Sequence, residues 1–363
     1  MDMQTTIYTD SASSGADMTA TVDLIIPVWG EAASVGSALA SLVENTPHAR
    51  FIFLNNGCER ETEQLVQAVA EHLDDRALLI SFERNLGHVR AVNAGLARSD
   101  APLRMVLHCT TRVRSGWLDG LLAAASEEDA GMVVPGNLLQ ADEKAGSGGA
   151  FAERDHGSFR AMLVKGTLYD RIGGFDEELC DEEWCLRDYS RRAWQAGFRT
   201  AVAPDVVVDL LPFKLYGSHA ARQMRQGDGK VRYEERWGIE RQYCLYLPAD
   251  TQPATVSTVA GLALLAVRQG HGCTILAHSR PFGNLRDAGW TTRHDRLRIV
   301  RLPLLFPERA ARRTAGDLAV RFQAVEFVKN PEGAAVPGLD RGLDFATFAS
   351  GIQENQTTRF SAS

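Results

Sequence analysis

Apolar and polar positions alternate in long, regular blocks through the first part of the chain. VDLIIPV (22–28) is a continuous apolar run with β-branched residues, closed by Pro27 and Gly30. Such a run reads as a strand buried on both faces. EAASVGSALASLVENT follows it with apolar residues at helical spacing. RFIFLNN (50–56), ALLISFE (77–83), LRMVLH (103–108) and GMVVPG (131–136) read as further strands. ETEQLVQAVAEHL, HVRAVNAGLARS and GWLDGLLAAASEE read as the helices between them. The first of these helices opens with acids, which suit the positive end of a helix dipole. Strands and helices in alternation, with short connections, predict an α/β domain built on a mostly parallel sheet flanked by helices.

AGSGGA (145–150) interrupts the alternation and reads as a mobile loop. FRAMLVKG then reads as a strand leading to a second part of the same domain. DEEWCLRDYSRRAWQAG (181–197) is a helix with an acidic start and Gly197 as its stop. FRTAVAPDVVVDL returns as short strands, and SHAARQMRQGDGKVRYEERWG is polar and helical in pieces. A second βαβ unit starts at RQYCLYLP (241–248), continues through a helix in TVSTVAGLALLAVRQGHG, and adds strands at CTILA (273–277) and RLRIVRLP (296–303). RTAGDLAVRFQAV reads as one more helix. The organisation expected is a disordered start over 1–20, a main domain over 21–240, a small Rossmann-like unit over 241–330, and an irregular tail over 331–363.

Composition bounds the reading. A chain of 363 residues suits two domains. The net charge of −7 argues against nucleic acid as a partner, because an acidic surface repels phosphate backbones. The six cysteines make no C-x-x-C pair, and the Cys180/Cys185 spacing is not that of a zinc site. They read as reduced thiols of a cytoplasmic protein. The first residues lack the basic start and apolar run of a signal peptide. VAGLALLAV (259–267) is far short of the ~20 apolar residues that cross a bilayer. A cytoplasmic location is expected, with any membrane association peripheral.

Ligands of an open parallel sheet bind at the carboxyl ends of its strands. Four such ends are polar or Gly-containing: Pro27-Val28-Trp29-Gly30-Glu31, Asn55-Asn56-Gly57-Cys58, Glu83-Arg84-Asn85-Leu86-Gly87 and His108-Cys109-Thr110-Thr111. Each could be turn chemistry alone. Together they predict one shared pocket.

These residues carry a family resemblance. LIIPVWGEA, FLNNGCERET, RNLGHVRAVNAGL, SGWLDGLL, IGGFDEEL and RRAWQAGFRTAVAPDVVV occur in the order and spacing of the motifs of family 2 glycosyltransferases of the GT-A fold. The chain resembles that family from about residue 22 to 210. The resemblance implies a nucleotide-sugar donor, with Pro27, Val28, Trp29, Glu31, Asn55, Asn56, Gly57, Asn85, Gly87, His108, Cys109 and Thr110 at the nucleotide. Arg90, one turn into its helix, would meet the diphosphate. Asn93 is expected to hold the loop locally.

Three departures from the family pattern stand out. The Asp that receives the base is replaced by Asn55, whose amide both donates and accepts. The Asp-x-Asp that holds Mg²⁺ or Mn²⁺ reads His108-Cys109-Thr110, and hard cations want carboxylate oxygens. Family-style metal use is therefore doubtful, and no residue is assigned to a metal. Asp209, in Val208-Asp209-Leu210, could supply one carboxylate, which alone would bind weakly. Third, inversion needs a carboxylate that takes the acceptor's proton. One alignment supplies Glu182-Glu183; the other leaves only Asp188 and replaces the pair by Cys185-Leu186. The acids could equally serve as helix-start charges. Trp184 offers a flat face to an acceptor sugar, or a core side chain.

The segment CLYLPADTQPATVSTVAGLALLAVRQGHGCTILAHSRP, with RLRIVRLP after it, weakly resembles the first half of a family 4 glycosyltransferase N-terminal domain of the GT-B fold. It lacks that family's Gly-Gly pair. Three functional readings remain open. One is an inverting glycosyltransferase acting on a glycan, lipid or protein acceptor, alone, as a homo-oligomer or beside a partner transferase. Another is a catalytically inactive relative that binds or scaffolds. The third is a nucleotide-dependent enzyme of different chemistry on the same fold.

Overall fold

The structure, a computed structural model, describes residues 6–7, 22–137, 151–179, 182–212, 219–339 and 341–360. The chain divides into two compact units. The first is Met1–Gly148 with His156–Tyr233; the second is Gly149–Asp155 with Glu234–Ser363. The second unit begins a few residues before position 241 and also takes a short segment from the middle of the first. The predicted loop at 145–150 lies outside the described residues.

In the first unit the strands are β1 (Thr6–Ile7), β2 (Val22–Val28), β3 (Arg50–Asn56), β4 (Ala77–Phe82), β5 (Leu103–Leu107), β6 (Thr111–Arg112), β7 (Ala130–Pro135), β8 (Ala161–Lys165), β9 (Arg199–Ala203) and β10 (Asp209–Leu210). The helices are α1 (Ala32–Asn45), α2 (Arg60–Leu73), α3 (His88–Leu96), α4 (Trp117–Ala125), α5 (Gly166–Ile172), α6 (Glu182–Gln195) and α7 (His219–Trp237). Eight strands form one sheet in the order β1-β4-β3-β2-β5-β8-β7-β9. β4, β3, β2 and β5 are parallel, and β7 pairs parallel with β9. β8 runs antiparallel between β5 and β7. The mostly parallel sheet flanked by helices is thus the architecture observed. β2 and β7 are buried at every residue, as strands with helices on both faces must be.

Two expectations fail in this unit. Thr6–Ile7, inside the segment expected to be disordered, pairs antiparallel with β4. A two-residue edge pairing needs only backbone groups, so composition does not reveal it. The segment expected to be helical in pieces is one helix, α7. A glycine in a helix costs about 1 kcal/mol, which tertiary contact can offset. Here Tyr233 is buried, with its ring 5.1 Å from that of Trp184.

The second unit has four parallel strands, β11 (Gln242–Leu247), β12 (Gly272–Ala277), β13 (Leu297–Arg301) and β14 (Val325–Val328), in the order β13-β12-β11-β14. Its helices are α8 (Pro253–Arg268), α9 (Ser279–Asp287), α10 (Pro307–Arg321) and α11 (Phe345–Phe360). The order is that of half a Rossmann sheet. Tyr243, Leu245 and Leu247 face one core cluster; Cys244 and Tyr246 face the other. This period of two explains why β11 reads as unbroken apolar sequence.

The irregular tail expected over 331–363 is corrected by α11, which places Phe348 and Ile352 in the core at 2% exposure each. These two, with Phe345, recur at helical spacing within a stretch whose Gly, Ser and Thr content masks the period. α10 starts at Pro307, earlier than read, because proline suits the first helical position.

Candidate functional site

Strand order reverses between β2 and β5: β3 and β4 lie beyond β2, and β8, β7 and β9 lie beyond β5. A crevice is expected outside the carboxyl ends of the strands at such a point. The residues that follow these strand ends are Trp29 and His108.

The turns at these strand ends are locked to one another. Asn56 Oδ1 accepts the Leu86 N–H at 2.8 Å, and Asn85 Oδ1 accepts the Gly87 N–H at 2.8 Å. Gly57 has φ +72°, and a Cβ there would lie 2.5 Å from the Asn85 backbone nitrogen. Only glycine lets the two turns approach so closely. Asn55 is 4% exposed; its Oδ1 accepts the Cys58 N–H at 3.0 Å and its Nδ2 donates to Glu63 at 2.9 Å. Both ends of the amide that replaces the usual acid are therefore engaged inside the protein. Pro27 and Val28 are buried in β2, and Glu31 is exposed just before α1.

Arg90 is exposed and meets Glu177 at 3.3 Å. Asn93 does more than hold its own turn. Its amide donates to the Phe175 carbonyl and to Glu177, and its oxygen accepts the Phe175 N–H. α3 is thereby tied to the loop before α6.

The positions matching the family's metal-binding acids are closed. His108, Cys109 and Thr110 are 7%, 0% and 2% exposed. His108 Nδ1 lies 2.9 Å from the Thr110 hydroxyl and accepts the Thr110 N–H. The Cys109 thiol donates to the Trp29 carbonyl at 3.2 Å, and burial pushes its pKa up to about 12. Asp209 faces Arg114 at 3.1 Å and Arg112 at 3.6 Å. No group of three or more His, Cys, Asp or Glu that could hold a metal ion occurs among the described residues. This donor set, a protonated thiol, a hydroxyl and an imidazole already bonded to its neighbour, does not fit Mg²⁺ or Mn²⁺.

A chain of aromatic rings runs from these strand ends instead. The Trp29 ring stands edge-on to His108 at 4.8 Å and to His88 at 4.9 Å. His88 meets Phe159 at 4.8 Å, Phe159 meets Phe175 at 5.0 Å, and Phe175 meets Tyr189 at 4.2 Å. Desolvation lowers the pKa of both His88 and His108 to about 3, and for His108 the neighbouring His88 and Arg160 add to it. Both imidazoles are neutral at pH 7. The ring nitrogens of His88 are buried without a hydrogen-bond partner among the described residues.

The three candidate acids part company in α6. Asp188 is 0% exposed and accepts Arg192 Nε at 2.8 Å. Glu183 is held by Arg187 at 3.2 Å and by Gln226 at 3.3 Å. Glu182 keeps an exposed surface while protein surrounds it, and this desolvation raises its pKa; Arg160 opposes the shift. Trp184 packs on Tyr233, with the Arg187 guanidinium 5.4 Å from its ring.

Arg160, His88 and Phe159 belong to this site, yet sequence reading passed over them. Arg160 precedes β8. Because β8 runs antiparallel beside β5, its first residue lies at the carboxyl end of β5. The Arg160 carbonyl accepts the His108 N–H at 3.2 Å and the Thr111 hydroxyl at 2.6 Å. Its guanidinium interacts electrostatically with His108 and Glu182. Among the described residues the Arg160 and Glu182 side chains have no hydrogen-bond or ion-pair partner. No sequence period signals an antiparallel strand inserted late into a parallel sheet.

Residues 23–175 match the family model described as glycosyl transferase family 2. This bears out the resemblance read from the motifs over that stretch. A comparison with curated proteins finds no match. Among solved structures, a mannosyltransferase from Pyrobaculum calidifontis, in complex with GDP-Man and Mn²⁺, is 16% identical with a TM-score of 0.46. The alignment covers 69% of this chain and 84% of that one. GalNAc-T7 with UDP, GalNAc and Mn²⁺ is 15% identical with a TM-score of 0.48; the chain covers 48% of it, about half its length, using 60% of its own. S. aureus TarS 1–349 is 13% identical with a TM-score of 0.43, covering 66% and 79%.

Proposed function

We propose that this chain, whose residues 23–175 carry a glycosyl transferase family 2 domain, transfers a sugar with inversion from a nucleotide-sugar donor and needs no divalent cation. The observation that carries the reading is that Arg160, just before β8 and beside the carboxyl end of β5, interacts electrostatically with Glu182 at the start of α6, neither side chain having a hydrogen-bond or ion-pair partner among the described residues.

In this reading Glu182 takes the proton of an acceptor hydroxyl as its oxygen attacks the anomeric carbon. The bond to the nucleoside diphosphate breaks on the opposite face. Arg160 faces the charge that develops on the leaving diphosphate, the task a metal has in other systems. The uncharged wall of Trp29, His88, His108 and Phe159 strengthens both interactions by lowering the local dielectric. A raised pKa suits a general base, since proton affinity and proton transfer rise together.

The test is transfer and hydrolysis with a panel of UDP- and GDP-sugars, in EDTA and in Mn²⁺, beside calorimetric binding of the nucleoside diphosphates. Turnover in EDTA is expected. Replacing Arg160 by Ala is expected to weaken diphosphate binding by roughly 10–100-fold, the worth of a charged hydrogen bond. Turnover only with Mn²⁺ removes the metal-independent part of the reading. Absence of both turnover and nucleotide binding favours a second reading, a non-catalytic binding protein. The burial and internal bonding of Asn55, His108, Cys109 and Thr110 support that alternative.

A further inference from the structure

In the second unit, β13 ends at Arg301 and α10 begins at Pro307. The link between them is anchored at one end by Leu302, 2% exposed, and beyond its other end by Ala311, 0% exposed. Between these anchors Leu304, Leu305 and Phe306 are 79%, 79% and 76% exposed. The other large exposed apolar residues among those described (Val207, Met224, Val231, Ile239 and Val320) are scattered singly. Three consecutive apolar side chains at this exposure form an exposed apolar tip, and contiguous apolar surface marks an interaction site.

The backbone of this segment is constrained. Phe306 has φ +55° and ψ +48°, the left-handed region that bulky side chains rarely adopt. Pro303 and Pro307 stiffen the chain on either side.

The surroundings are cationic. From Arg301 to Arg313 the sequence holds Arg301, Arg309, Arg312 and Arg313 against one acid, Glu308, in a chain whose net charge is −7. All four arginines are exposed. Arg280, also exposed, follows β12, which neighbours β13 at the same edge of the sheet; Asp250, after β11, is an acid at that edge.

We infer that the Leu304-Leu305-Phe306 tip and the arginines around it form a docking surface for an anionic lipid bilayer. The apolar side chains enter the headgroup region, where transfer from water is favourable, and the guanidinium groups meet lipid phosphates. Exposed apolar side chains flanked by cations complement a surface that is apolar beneath an anionic layer, as an anionic bilayer is. No helix among the described residues is long and apolar enough to cross a membrane. This inference is independent of the reading of the first unit.

The experiment is co-sedimentation of the full chain with vesicles of phosphatidylcholine alone, and of phosphatidylcholine mixed with phosphatidylglycerol, at low and high salt. Binding to the mixed vesicles is expected, weakened by salt and by omission of the anionic lipid. A Leu304→Ser, Leu305→Ser, Phe306→Ser variant is expected to lower the partition coefficient on the order of tenfold or more. An Arg309→Glu, Arg313→Glu variant is expected to do the same. Melting temperatures serve as the folding control, since all five side chains are exposed. Parental protein that stays in the supernatant with both vesicle types overturns the inference. So does a serine variant that sediments like the parent, or one that merely converts a parental oligomer to monomer on a sizing column.

Discussion

Arg192 grips Asp188 inside the first unit: its Nε donates to Asp188 Oδ2 at 2.8 Å, and no part of Asp188 is exposed. The two remaining nitrogens of Arg192 donate to the carbonyls of Ile172 and Gly174 at 2.9 Å each. The pair therefore fixes the turn that leads to Phe175. Asp188→Ala strands a largely buried cation, and its expected cost is on the order of 3 kcal/mol of folding stability. Denaturant melts measure this. An Asp188→Asn protein with parental stability but no turnover would assign the carboxylate to chemistry instead.

Glu182 is the acid of α6 that has no side-chain hydrogen-bond or ion-pair partner among the described residues. Glu182→Gln is expected to lower kcat by about 10²–10⁴-fold, the usual contribution of general base catalysis, while nucleotide affinity stays within twofold by calorimetry, an estimate of roughly no change. Because desolvation by the surrounding protein raises the Glu182 pKa, the acid limb of the rate profile should lie above that of an ordinary glutamate, ~4.3. The rate climbs with pH through that limb. The stability contribution of this group has the opposite sign: it is largest where the carboxyl is protonated and is lost as pH rises through the folded pKa. A parental acid limb retained in the Gln variant would rule Glu182 out.

His88 and His108 make stability sensitive to acid. Each has a folded pKa of about 3, below the ordinary 6.5, so the unfolded chain binds more protons between those values. Their stability contribution is complete above ~6.5 and falls as pH drops, each by up to ~1.4 kcal/mol per pH unit. His88→Phe keeps the ring contact with Phe159 and removes two unpartnered nitrogens. Urea titrations at several pH values between 4 and 7 (a range of roughly the two pKa values) should show about half the parental slope from this pair. An unchanged slope would place the titration elsewhere.

Phe348 fills the second unit's core from α11. Phe348→Ala is expected to cost about 3–5 kcal/mol, read as earlier unfolding of the second unit and faster proteolysis after residue 241. A variant that melts with the parent would mean that α11 contributes nothing to that core.

Much of the first unit was legible because buried parallel strands are short unbroken apolar runs. β2 and β3 begin and end at the residues read from the pattern, 22–28 and 50–56. The family motifs were legible for a related reason: Gly57 and Gly87 stand where positive φ leaves little choice of residue. The tail helix was hidden by composition, although Phe345, Phe348 and Ile352 carry its period.

By itself, then, the sequence determined the alternation of strands and helices, the four polar strand ends and the absence of the usual acids at Asn55 and His108-Cys109-Thr110. These are local properties, set by side-chain period and by turn chemistry. The tertiary structure alone decided which acid of α6 is open, because burial and pairing depend on neighbours distant in sequence: Arg192 with the loop at 172–174 for Asp188, and Gln226 for Glu183. It also brought Arg160 to the carboxyl end of β5, through an antiparallel strand that no local pattern announces.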